Sequence, residues 1–176
     1  MKNFFRRVQQ TDQKILDRIW DKHHSPRLTV VMSFFSHPPY WRHLVFIIIL
    51  TSLILGSFHT RLRIGLLLIA VTLSDQTCNL IKAFVKRIRP TGPYSTQGNF
   101  WKKLGHYSFP SSHSANNFCT AVLTLHWWHP LGIFFYFLAV AVAFSRVYLR
   151  NHYPSDVVIG GLIGIIYGIL FILGGA

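Results

Sequence analysis

Residues 145–156 read Ser-Arg-Val-Tyr-Leu-Arg-Asn-His-Tyr-Pro-Ser-Asp and carry groups suited to phosphate chemistry. His152 and Asp156 stand four apart, with Pro154 placed to open a helix between them. In that geometry a carboxylate reaches back to the imidazole, fixes its tautomer and stabilises its cation, as in an oriented nucleophile. Arg146 adds a planar guanidinium that binds phosphate bidentately. The competing interpretation is that juxtamembrane Arg and His merely anchor helix ends among headgroups. Two upstream stretches weigh against it. Lys82 and Arg89-Pro90 lie seven residues apart, and Pro110-Ser111-Ser112-His113 opens another apolar run. Lys82, Arg89 and Arg146 suit the non-bridging oxygens of a phosphate and the charge they carry in a transition state. Ser111, with the backbone N–H groups around Ser112 and His113, would place an anion at a helix N-terminus. His152 then serves as nucleophile, giving a phosphohistidine, and His113 as general acid and later general base.

The elements that position these residues are membrane helices. Half of the 176 residues are hydrophobic (51%), and they fall in long runs, as in multi-span membrane proteins. Spans are predicted over 44–58, 64–85, 115–128, 131–149 and 157–173, giving an all-α polytopic bundle of about five transmembrane helices. Residues 8–24 predict an amphipathic helix, lying on the membrane or packed on the protein, and 28–35 a short interfacial or re-entrant piece. The chain reads as a single domain over 1–176, with interfacial helices in 1–40 and a transmembrane catalytic bundle in 41–176. Five spans put the three motif stretches and the N-terminal segment on one membrane side and the C-terminus on the other. Asp75, Gln76, Asn79 and Lys82 sit inside the second span; Asp75 reads best as an interhelical contact and Lys82 as part of a site. Gly160, Gly161, Gly164 and Gly168 predict a small-residue packing face on the fifth.

A net charge of +13 suits anionic partners, which for a membrane protein are lipid phosphates more often than nucleic acid. No nucleic-acid motif is present, and no obligate protein partner is evident. Cys78 and Cys119 read as small buried hydrophobes.

The three stretches, in order and each at a span boundary, resemble the signature of the type 2 phosphatidic acid phosphatase superfamily: Lys-x6-Arg-Pro (82–90), Pro-Ser-Gly-His (110–113) and Ser-Arg-x5-His-x3-Asp (145–156). The resemblance covers residues 64–173. It implies a lipid phosphatase that works without metal or other cofactor, with His152, His113 and Asp156 catalytic and Lys82, Arg89, Ser111, Ser112 and Arg146 on the substrate phosphate. The scarcity of carboxylates agrees with a metal-free site. The implied substrate is a phosphorylated membrane lipid within the bilayer. Lipid A 1-phosphatase comes first, because Lys86, Arg87, Lys102, Lys103 and Arg150 look like spare cations for a multiply charged lipid. Undecaprenyl diphosphate, phosphatidylglycerophosphate and transfer to another lipid follow. A non-catalytic protein that binds anionic lipid is the reading from another class. Bacterial relatives imply a multi-pass inner-membrane protein with its site facing the periplasm. There are two departures. Ser112 replaces the usual Gly, at the cost of strain if its φ must be positive. The first of the six spans common in bacterial members is also not evident.

Overall fold

The computed structural model describes residues 2–91 and 105–175. Among these it is built from seven helices: α1 Lys2–His23, α2 Pro26–Ser36, α3 Pro38–Leu55, α4 Phe58–Val85, α5 Ser112–Trp127, α6 His129–Tyr148 and α7 Pro154–Leu173. No strand occurs among the described residues, only an isolated bridge between Ile88 and Tyr107. Lys102 and Lys103 lie outside them.

Local chemistry explains where the helices begin. Ser25, Ser57 and Ser111 cap α2, α4 and α5 by accepting the N–H groups of Leu28, Thr60 and Ser114. Pro26 and Pro154 occupy first-turn positions, where a missing N–H costs nothing. At the other end of α4 the chain turns through Lys86 in the left-handed region (φ 50°), which throws Arg87 and Arg89 past the helix end.

α4, α6 and α7 are each long and apolar enough to cross a membrane. α5, at 16 residues, and the apolar stretch His43–Leu55 of α3 are shorter. Three of the five expected spans therefore meet both length and composition. Apolar side chains cover the outside: Leu55, Phe84, Phe137 and Leu173 are each more than 70% exposed, which suits lipid and would be a liability in water.

The tightest seam joins α5 and α7, along the expected glycine face. A Cβ on Gly160 would lie 2.3 Å from the Ser111 carbonyl oxygen, and one on Gly164 2.0 Å from that of Ala115. Backbone approach this close is what small residues permit between membrane helices. Ala70, Cys119 and Leu123 form one buried cluster in the bundle, and both cysteines are free and buried.

The N-terminal segment packs on the protein. Leu16 is buried with Ala143, Val147, Tyr153 and Val157, seating α1 against α6 and α7. The short piece after it is a full helix, α2, tied to α6 where Thr29 and Tyr148 share a 3.2 Å hydroxyl contact.

Asp75 makes interhelical contacts. Its carboxylate accepts from Asn79 at 3.0 Å on its own helix and from Asn116 of α5 at 3.4 Å.

Candidate active site

The three motif stretches meet at one end of the bundle. α4 brings Lys82 in from the side, with its ammonium donating to the Ser112 hydroxyl at 2.5 Å. The turn after α4 brings Arg89, which donates to the Asn151 carbonyl (2.9 Å) and contacts His152 Nε2 (3.1 Å). α6 brings Arg146, buried and bonded through Nη1 to the Ser36 hydroxyl (2.6 Å) and carbonyl (3.2 Å). His113, in the first turn of α5, lies within electrostatic range of Lys82, Arg89, Arg146 and His152. The N–H groups of Ser112 and His113, first in their helix, have no intrahelical acceptor. The end of the bundle is strongly positive, as an incoming phosphate dianion requires.

His152 is fully buried, and its two ring bonds fix one tautomer. Nδ1 lies 2.7 Å from the carbonyl oxygen of Ser108, which can only accept. Arg89 can only donate, so Nε2 carries the lone pair. Burial, reinforced by the positive charges of Arg89 and Arg146, holds the imidazole's pKa well below its usual 6.5, against a smaller upward pull from the Ser108 bond. A neutral ring with Nε2 unprotonated is the form a nucleophile needs.

Here the geometry departs from the expectation for Asp156. Its carboxylate is 3.7 Å from His152 Nδ1, and the short bond goes to Ser108 instead. Asp156 accepts the Tyr153 N–H at 2.8 Å, capping α7, and pairs with Arg87 Nη1 at 2.7 Å. Its backbone carbonyl also accepts the Ser111 N–H at 2.9 Å, joining two of the motif stretches. Asp156 thus braces the corner around the histidine.

Ser111 and Ser112 also differ in detail from expectation. The Ser111 hydroxyl is buried and turned into α5, accepting from Ser114 N–H at 3.4 Å. Ser112 is not among the residues with positive φ, so no strain attaches to its replacing glycine, and its hydroxyl reaches Lys82. Of the cations read as spare, Arg87 and Arg150 are already engaged. Arg87 bridges Asp12 and Asp156 and lies over the Tyr153 ring at 4.0 Å. Arg150 pairs with Asp17 and lies 5.5 Å over the Trp20 ring.

Three residues beside the site were not anticipated: Ser36, Ser108 and Asp12. Asp12 could have been suspected from scarcity alone, since each of only five acids in a chain with 18 Lys and Arg is a sought-after partner. Nothing in the sequence marks Ser36, or the backbone carbonyl of Ser108.

An apolar-sheathed helical bundle with cations and imidazoles gathered at one end defines a membrane protein whose working end is built for anions. The chain belongs to the PAP2 superfamily, a family of phosphatases, whose sequence profile matches residues 63–174. It is similar to the lipid A 4'-phosphatase of Bacteroides thetaiotaomicron, with 31% identity over 165 residues, covering 84% of this chain and 70% of that protein. The crystal structure of LpxE from Aquifex aeolicus superposes with a TM-score of 0.69 at 25% identity, covering 91% of this chain and 93% of that one. A transmembrane PAP2-type phosphatidylglycerolphosphate phosphatase from Bacillus subtilis gives a TM-score of 0.70 at 23% identity, covering 93% of this chain and 84% of that one.

Proposed function

We propose that this chain removes a phosphate from lipid A through a phosphohistidine on His152. The observation that carries the mechanism is the setting of His152: Nδ1 lies 2.7 Å from the Ser108 carbonyl and Nε2 3.1 Å from the Arg89 guanidinium, partners that suit a neutral ring with its lone pair on Nε2. An arriving phosphate takes over Arg89 from Nε2, so that binding frees the nucleophile. Nε2 attacks phosphorus, the phosphorus–oxygen bond to the lipid breaks, and His113, which takes up a proton as the negative charge of the phosphate offsets the cations around it, gives that proton to the departing oxygen. His113 then takes a proton from water, whose oxygen attacks phosphorus. The phosphorus–nitrogen bond breaks, and inorganic phosphate leaves. Lys82, Arg89, Arg146 and the N-terminus of α5 stabilise the equatorial oxygens throughout. No metal ion takes part in this scheme.

Similarity to a lipid A 4'-phosphatase supports lipid A as substrate. Arg87 and Arg150 are committed within the protein and are not spare cations for a multiply charged lipid. Residues 1–176 act as one catalytic unit, in the inner membrane of a bacterium with the site facing the periplasm.

The test is phosphate release by the purified protein from lipid A bearing a single phosphate at either the 1 or the 4' position. Undecaprenyl diphosphate, phosphatidylglycerophosphate and phosphatidic acid complete the panel, and all reactions contain EDTA. Preferred release from one lipid A form is expected, abolished in His152→Ala and nearly so in His113→Ala. Preference for another lipid overturns the substrate, full turnover in His152→Ala overturns the mechanism, and a strict need for added Mg²⁺ overturns the metal-free scheme.

A further inference from the structure

We propose that Asp12, on a helix outside the segment matched to the family, is a positioning residue for the reaction. It fixes Arg87 and, through Arg87, both supports of His152. The inference rests on the phosphohistidine mechanism given above.

Asp12 is 4% exposed, although it belongs to an otherwise largely exposed surface helix. Its Oδ2 accepts from Arg87 Nη2 at 2.7 Å and from the Ser155 hydroxyl at 2.5 Å, and its Oδ1 accepts the Ser155 N–H at 3.0 Å. The guanidinium it holds reaches onward to Asp156 at 2.7 Å and to the Ser155 hydroxyl at 2.8 Å. Asp156 in turn fixes the Tyr153 N–H, one residue after His152. The backbone of Arg87 provides the second route. Its carbonyl accepts the Ser108 N–H at 2.8 Å and the Ser108 hydroxyl at 3.3 Å. The carbonyl of Ser108 then holds His152 Nδ1.

Arg87 is therefore the hub of two chains, one ending on Nδ1 of His152 and the other on the backbone N–H of the next residue, Tyr153, and Asp12 and Asp156 are its two anionic anchors. With Asp12 neutral, the guanidinium has a single carboxylate to follow and is free to rotate towards it, taking the Arg87 backbone and Ser108 along. The other ion pair of α1, Asp17 with Arg150, sits at a more exposed position and makes no such connection. Asp12 and Asp17 thus differ in kind, and the comparison between them separates positioning from simple docking of α1.

The experiment uses full-length protein and measures kcat, KM for the best lipid substrate and thermal unfolding. The variants are Asp12→Asn, Asp17→Asn, Arg87→Met, the Asp12→Asn/Arg87→Met pair and the His152→Ala blank. Asn keeps the size and an acceptor for the Ser155 N–H while removing the charge. Asp12→Asn is expected to lower kcat about tenfold with KM within about twofold, as for a misplaced group in the chemical step. Asp17→Asn leaves both unchanged. Because Asp12 acts through Arg87, the double variant is expected to be no slower than Arg87→Met alone. A kcat within about twofold of wild type in Asp12→Asn, or a double variant in which the two losses multiply, overturns the inference. Asp12→Glu, which retains the charge, is the second variant should Asp12→Asn fail to fold; a rate no better than that of Arg87→Met then overturns it. Full turnover in His152→Ala marks failure of the underlying mechanism, and an inactive blank beside an undisturbed Asp12→Asn marks failure of this inference alone.

Discussion

Gly160→Ala is a single-methyl change at the α5–α7 seam whose effect should be felt at the catalytic end. The added Cβ would sit 2.3 Å from the Ser111 carbonyl oxygen, with the Ser111 carbonyl carbon and nitrogen both at 3.1 Å. Ordinary contact begins near 3.4 Å, so the two backbones must separate by about 1 Å. No flexible side chain is available to give way. Ser111 N–H now donates to the Asp156 carbonyl at 2.9 Å, and a shift of that size takes the pair beyond hydrogen-bonding distance. Overpacking of this kind costs about 1–3 kcal/mol in stability. Displacing Ser111, and with it the first turn of α5, by about 1 Å should cost about a hundredfold in kcat, equivalent to about 2.7 kcal/mol. Gly161→Ala is the matched control. Its Cβ would first meet the Phe118 ring, at 3.1 Å, and the ring can move. Phosphate release and thermal unfolding in one detergent would measure both. A Gly160→Ala enzyme within about threefold of wild-type kcat would refute the reasoning, whatever its stability.

Two further outcomes follow from the bonds around His152. Asp156→Asn weakens a buried ion pair but leaves the Ser108 bond in place, so about 3 kcal/mol of stability should be lost while His152 keeps its Nδ1–H tautomer. Imidazole nitrogen chemical shifts read the tautomer, and a switch to Nε2–H would refute the assignment. The depressed pKa of His152 means that between its folded value and about 6.5 the unfolded chain binds the extra proton. Its contribution to stability is therefore full above about 6.5 and lost as pH falls below that, while the folded ring stays neutral at 6.5; a native-state titration midpoint at or above 6.5 contradicts this.

Much of this architecture could be read from residue order. The apolar runs gave the helices, and the three motif stretches meet because each lies at a helix boundary on the same end of the bundle. The glycine face did what its spacing implied. What escaped the reading shares a physical character. Ser108 acts through its carbonyl, an atom every residue carries, so no residue type advertises it. Asp12 and Arg87 stand 75 positions apart, and Ser36 and Arg146 stand 110 apart. No periodicity reaches across such separations. The left-handed turn at Lys86 falls on a non-glycine residue, where local preference argues against it. His152 and Asp156 illustrate the opposite error, in which correct spacing suggested a bond that a nearer backbone acceptor takes instead.

The end of α4 carries a consequence for insertions and deletions. Lys82 owes its direction to helix register, whereas Arg89 owes its position to the reversal at Lys86. The two cations thus approach one target by separate routes with a common origin in the last turn of α4. Adding one residue between them inside the helix would rotate one relative to the other by about 100° and shift it by about 1.5 Å. Either the lysine would swing out into lipid or the arginine would overshoot the imidazole. The six residues between Lys82 and Arg89 therefore behave as a ruler: their identities can drift while their number is held by geometry.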